Sequence, residues 1–315
     1  MNQKHIYFHI GAPKTATTFI QHELNNNSAL LETLGYGILL PNQLRQSCFY
    51  EYVFSKHTQR DTETTFKEAK QDFIRQVDQC IQNNIIISEE GFTQHLMPTD
   101  KTGQCFSGVK RSLEAIKEMA PKNTKIILSI RNQVDFIESI YKHKIKWKFC
   151  SLSLSDFIDK HIDIYNLSWA KAIAEIEEYF PNKLEVVPFE LIKHSTKNYI
   201  NGFLSACDLT EKSELFKLSK DIKNQSLADN HAEFMRTLNQ SIKNLDSFNK
   251  KTRPKIKVSF VNELLENEPR IKRADYSLPQ KISSQIKSFY SIENKKILEK
   301  YCGKYNQKYI TAHYT

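Results

Sequence analysis

Eight consecutive residues, Gly11-Ala12-Pro13-Lys14-Thr15-Ala16-Thr17-Thr18, place a glycine, a lysine and three hydroxyls between a strand-like run, HIYFHI at 5–10, and a helical run, FIQHELNNN at 19–27. A loop between a strand and a helix points backbone N–H groups and the positive end of the helix dipole at whatever it encloses. Gly11 permits the tight turn, Lys14 adds a positive charge, and Thr15, Thr17 and Thr18 add hydroxyl donors. The chemistry this set suits is anion binding, and phosphate oxygens in particular.

The spacing excludes the commonest version of such a loop. A Walker A sequence needs GxxxxGK[ST], whereas here no second glycine precedes the lysine, which follows Gly11 by only three residues. Hydrolysis of ATP or GTP is therefore disfavoured. The stretch instead resembles the 5′-phosphosulfate loop of sulfotransferases, which bind 3′-phosphoadenosine 5′-phosphosulfate (PAPS), with Ala16 where that family usually has glycine. Downstream, ILSIRNQVDFIESIY sets Arg131 at a strand end and Ser139 in the next helix, and resembles the family's second signature, with Gln133 replacing its usual proline. The resemblance implies that Arg131 and Ser139 grip the 3′-phosphate of the nucleotide. A strand-end guanidinium suits a bidentate contact to such a group, and a hydroxyl two turns along the helix adds a neutral donor. The likeness covers roughly residues 4–210, where Trp169 and Glu190 read as core and turn elements.

Sulfuryl transfer between two oxygens requires a group that takes the acceptor's proton and a cation that neutralises the departing phosphate. Lys14 fits the second role. For the first, the apolar run at 85–87 delivers Ser88, Glu89 and Glu90 at its C-terminal end, the edge where open α/β sheets build their sites. Glu90 is the leading base, Glu89 is adjacent, and His95 is the alternative. His9 alternates with the buried face of its strand and reads as a satisfied core histidine. Asn224 and Ser226 resemble a loop that closes over the nucleotide in relatives.

The elements that must position these groups alternate. Strand patterns at 5–10, 85–88, 124–131 and 183–190 are separated by helical ones near 64–82, 108–120, 132–147, 154–161 and 168–180, which predicts a parallel sheet with crossover helices. Asn132 is an N-cap, with Asp135 three residues on. Beyond about residue 210 the pattern is helical. The expected architecture is an α/β, P-loop NTPase-like sulfotransferase core over 1–210, with a central parallel sheet flanked by helices, and a mainly helical C-terminal extension over 211–315 packed on it.

Length and composition agree with a folded protein: 315 residues, 40% apolar and 26% charged, with 8 Gly and 9 Pro. Lys plus Arg at 45 against Asp plus Glu at 36 gives a formal +9, which suits anionic partners. The lysines at 142, 144, 146 and 148 and the basic residues 250–257 read first as solvated surface, with contact to an acidic acceptor or to the adenosine phosphates as the other reading. The six cysteines are scattered, without CxxC pairs or nearby histidines, so reduced thiols and no metal are expected. No apolar run reaches the roughly 18 residues of a bilayer span, and a soluble, cytoplasmic protein is expected. Neither a helix-turn-helix nor an RNA-binding signature is present, so nucleic acid is not the expected partner. The resemblance implies transfer of a sulfuryl group from PAPS, without obligatory metal, to a hydroxyl of a carbohydrate or glycolipid. A P-loop kinase using Mg-ATP, or a non-catalytic binder of an anionic polymer, is the alternative.

Overall fold

The computed structural model describes residues 4–92, 109–219, 229–244, 277–305 and 307–314. The chain adopts an α/β fold whose centre is a five-stranded, all-parallel sheet, in the order β2-β3-β1-β4-β5. Its strands are β1 (His5–His9), β2 (Tyr36–Leu39), β3 (Asn84–Ser88), β4 (Thr124–Ile130) and β5 (Leu184–Pro188). Between β1 and β2 run α1 (Thr17–Asn26) and α2 (Ser28–Thr33), and between β2 and β3 run α3 (Pro41–Leu44), α4 (Cys48–Thr58) and α5 (Phe66–Gln79). Helix α6 (Val109–Met119) precedes β4; α7 (Gln133–Lys148), α8 (Leu154–His161) and α9 (Trp169–Tyr179) precede β5. After β5 come α10 (Leu191–His194), α11 (Thr196–Ala206), α12 (Asp229–Asn244), α13 (Gln280–Tyr301) and α14 (Gln307–Tyr314).

Burial explains why the central strands read as unbroken apolar runs. Helices cover both faces of a parallel sheet, so alternation is lost. Ile85, Ile86 and Ile87 are all fully buried, as are Ile6 and Phe8 of β1, Ile126 and Ile127 of β4, and Val186 and Val187 of β5. Strand β2 carries no clear sequence signal. It is a four-residue edge strand beside Gly35 and contains Gly37, too short and too glycine-rich to announce itself.

The strand order places a crevice. Strand β1 lies between β3 and β4, so the connection leaving β1 heads towards β2, while the one leaving β4 heads towards β5 on the other side. Where neighbouring connections diverge, the carboxyl ends of the strands are left uncovered, and ligands of open α/β sheets bind there. Residues 11–18 follow β1 and Arg131 follows β4, so both signatures open on this crevice.

The C-terminal helices meet the core through polar as well as apolar contacts. Asn294 of α13 exchanges hydrogen bonds with Gln133 at 3.0 and 3.1 Å, and Glu293 accepts from Ser168 at 2.8 Å. Among the described residues no helix is long and apolar enough to cross a membrane. Cys48, Cys80, Cys150, Cys207 and Cys302 are free thiols.

Candidate functional site

The loop after β1 is held open by its backbone. Ile10 N–H donates to Ile127 at 3.0 Å and Ala12 N–H to Ser129 at 2.9 Å, which carries β1 pairing with β4 up to the turn. Gly11 has φ 29°, and a Cβ there would sit 2.5 Å from Thr17 Cγ2 and 3.1 Å from His9 Nε2, so no side chain fits. Lys14 and Ala16 have φ of 66° and 59°, with Thr15 between them at negative φ. That alternation of hand turns successive N–H groups towards a common concavity. Ala16 is also the N-cap of α1 and supplies no side-chain cap, whereas Thr65, Asn132, Ser153, Ser168 and Ser195 cap α5, α7, α8, α9 and α11. Phe19 and Ile20 N–H donate to the Ala16 carbonyl at 3.0 and 3.1 Å, so the N–H groups of Thr17 and Thr18 are the ones that face a ligand.

The threonines of the loop differ in availability. Thr15 is fully buried and its hydroxyl proton goes to the Ala12 carbonyl, so it braces the loop from within; the Tyr199 hydroxyl braces it from behind by donating to the Thr15 carbonyl. Thr17 is buried against Gly11, and Thr18 is exposed. Pro13 and Ala12 are buried in the turn.

Arg131 comes to this loop from the end of β4. Its Nη1 donates to the Lys14 carbonyl at 2.9 Å, its guanidinium lies 4.2 Å from the Phe189 ring centroid, and its own carbonyl accepts from Trp169 Nε1 at 2.8 Å. The next residue, Asn132, is clamped by buried Glu190, which accepts from its backbone N–H and side-chain amide at 2.9 Å each. As expected, Asn132 caps α7, accepting from Asp135 N–H at 3.0 Å. Arg131 Nε is buried without a hydrogen-bond partner, and no carboxylate of the described residues is within ion-pair distance of the guanidinium. Ser139 is only 7% exposed, two turns along α7, and its hydroxyl makes no hydrogen bond among the described residues.

The two adjacent glutamates after β3 have separate fates. Glu89 is fully buried and accepts two hydrogen bonds from Arg45, at 2.7 and 2.9 Å, and one from Gly91 N–H at 2.8 Å. It is neutralised in place. Glu90 turns the other way, accepting from Gln21 Nε2 at 2.9 Å, with Arg45 at 3.8 Å. Burial, and then the charge of Glu89, push its carboxyl above the usual range. Its charge also reaches Lys14. His95, Asn224, Ser226 and residues 250–257 lie outside the described residues.

His9 is the satisfied core histidine expected: 1% exposed, it bridges Ser88 Oγ at 2.8 Å and Ser129 Oγ at 3.2 Å, tying β3, β1 and β4 together under the loop. Burial pushes it down to about 3, so it is neutral. Lys14 is pushed down to about 8, first by burial and then by Arg131 and Lys146.

Sequence reasoning missed several contributors. Gln21, Arg45 and Tyr199 act through partners distant in the chain, and no local pattern marks them. His143 could have been found, because it lies four residues after Ser139 on the same helical stripe; burial and then Lys14 push it down to about 4. The solvated-surface reading of the lysine-rich helix end needs correction at two positions: Lys146 is 7% exposed, and Lys142 is half-buried and paired with Asp229. The aliphatic stem of a lysine packs readily, so sequence does not show which of four lysines folds inward.

No family model matches this chain, and no curated protein matches it. Among solved structures, a sulfotransferase from Alicyclobacillus acidocaldarius aligns over 84% of this chain and 97% of its own, at 12% identity and a TM-score of 0.44. At that identity and score the likeness says nothing of this chain's chemistry, which rests on the side chains themselves.

Proposed function

We propose that the protein is a sulfotransferase that uses PAPS and modifies an acceptor hydroxyl, with a carbohydrate as the acceptor class. One observation carries this reading. The guanidinium of Arg131 reaches the backbone of Lys14, so two cations without carboxylate partners among the described residues face one crevice from two separate signatures. A doubly anionic adenosine nucleotide answers that arrangement, with one charged end on each cation.

The residues present fit the nucleotide. The orphaned Nε of Arg131 and the unpartnered hydroxyl of Ser139 would hold the 3′-phosphate, and the N–H groups of residues 11–18 with Lys14 would hold the 5′-phosphosulfate. When bound, PAPS supplies the sulfuryl group, whose S–O bond to the 5′-phosphate is exchanged for one to the acceptor oxygen. Lys14 neutralises charge on the departing phosphate, and the N-terminus of α1 adds its dipole. Glu90 takes the acceptor proton. Its partner Gln21 donates to one carboxylate oxygen, which fixes the group, and the other oxygen, 3.8 Å from Arg45, meets the acceptor.

Calorimetry separates this from use of Mg-ATP. Adenosine 3′,5′-bisphosphate binds without metal and more tightly than Mg-ATP under the proposal, and the reverse order removes it. Transfer of labelled sulfate from PAPS to an acceptor panel then tests the reaction.

A further inference from the structure

Helix α7 has two chemically different faces. Asp135, Glu138 and Lys142 are all satisfied: Asp135 pairs with Lys193, Glu138 accepts from Leu278 N–H at 2.8 Å, and Lys142 pairs with Asp229 at 2.5 Å. The stripe of Ser139, His143 and Lys146, spaced four and three residues apart, is not. Lys146 has no hydrogen bond or ion pair among the described residues. Its Nζ lies 5.2 Å from the ring centroid of the neighbouring Trp147, which is 41% exposed. Removing an ammonium from water without a counter-ion is unfavourable, and a bound anion offsets that cost.

The position of Lys146 says which anion. Helix α7 has 16 residues and is about 24 Å long, with Arg131 at its N-terminal foot and Lys146 in its last turn. Lys146 lies on the same stripe as Ser139, two turns further along the helix, and its charge reaches the Lys14 ammonium. Arg131 and Lys14 are taken by the two ends of the nucleotide under the function proposed above, on which this step rests. With those two cations occupied, the charge of Lys146 is left for the acceptor. Trp147, half open beside it, offers a flat apolar face of the kind on which the C–H face of a sugar ring stacks.

We infer that Lys146 and Trp147 form an acceptor subsite for an acidic saccharide, the ammonium of Lys146 holding a carboxylate, sulfate or phosphate next to the hydroxyl that is modified. Neutral sugars lack the group that this cation requires.

The test uses the full chain saturated with adenosine 3′,5′-bisphosphate and titrated calorimetrically with methyl β-glucoside, methyl β-glucuronide or methyl β-glucoside 6-phosphate. The expected result is binding of the two charged glycosides at least tenfold tighter than the neutral one. Lys146→Met erases that preference and leaves nucleotide affinity within threefold, whereas Lys146→Arg keeps it. Trp147→Ala weakens all three glycosides alike, and serves if Lys146→Met does not fold by circular dichroism. Equal or undetectable binding of all three glycosides overturns the subsite, as does a preference that survives Lys146→Met. A Lys146→Met protein that loses nucleotide and glycoside together assigns Lys146 to the nucleotide and also overturns it. Failure of the wild-type protein to bind the nucleotide removes the proposed function itself, and is read in a separate first titration.

Discussion

Under the proposed function, nucleotide binding takes up a proton from solution at alkaline pH, and Lys14 receives it. In the free protein its ammonium is pushed down to about 8, first by burial and then by the positive charges of Arg131 and Lys146, against the smaller opposing effect of Glu90. An anion bound in the crevice counters that repulsion and favours the charged amine, returning it towards its ordinary value of 10.5. With those two values, Lys14 is about 90% charged at pH 7 and about 10% charged at pH 9 before binding, and charged at both after it. Affinity for adenosine 3′,5′-bisphosphate therefore falls roughly tenfold between pH 7 and pH 9, with uptake of about 0.9 proton at pH 9 and about 0.1 at pH 7. The ligand does not obscure the effect, because a phosphate monoester has its second ionisation near about pH 6 and is doubly charged across this range.

The assay is calorimetry in two buffers of different ionisation enthalpy at each pH, since the difference in observed heat reads protons directly. Lys14→Met must bind more weakly at pH 7 and lose both the proton uptake and most of the pH dependence. Flat affinity from pH 7 to 9 in the wild-type protein, without buffer-dependent heat, refutes the placement of the nucleotide against Lys14.

Glu90→Gln keeps nucleotide affinity within threefold and lowers sulfate transfer by about 10² to 10⁴, the range expected for loss of a general base; undiminished transfer moves the base elsewhere and makes His95 the next residue to change. Arg131→Ala weakens adenosine 3′,5′-bisphosphate by about 10- to 100-fold, the worth of a charge-assisted contact, and weakens adenosine 5′-monophosphate far less; equal losses contradict the 3′-phosphate assignment. Gly11→Ala lowers thermal stability by about 1–2 kcal/mol through its φ of 29° and its 2.5 Å contact with Thr17 Cγ2, and abolishes nucleotide binding. Adding Thr17→Ser, which deletes that methyl, recovers part of the stability and distinguishes a steric cause from a purely conformational one.

What was legible in the sequence was what chain neighbours determine. The loop at 11–18 and Arg131 at the end of β4 are set by local spacing, and the apolar runs of β1, β3 and β4 announce a sheet buried on both faces. Contacts between distant segments were not legible. Glu89 and Glu90 are indistinguishable until Arg45, 44 residues upstream, takes one of them. The lysines of α7 look equivalent until Asp229 takes Lys142 and packing buries Lys146. Edge strand β2 has too few residues, and too much glycine, to stand out from a turn.

The partners of Arg131 explain how one residue is both fixed and left reactive towards an anion. A carbonyl, an aromatic face and an indole N–H hold it, from Lys14, Phe189 and Trp169, while Glu190 acts one residue away on Asn132. These contacts fix direction without cancelling charge. Arg45 shows the other solution, a guanidinium met by two carboxylate oxygens and so neutralised. A protein that needed Arg131 only for stability would gain more from the second arrangement, because a buried guanidinium without a counter-ion is costly. Orientation by neutral groups leaves its field directed into the crevice, and Lys14 adds to that field while the two cations repel each other. A bound anion relieves that repulsion beyond what Glu90 already does, so under the proposed function the stability given up in the empty crevice returns as affinity for highly charged ligands.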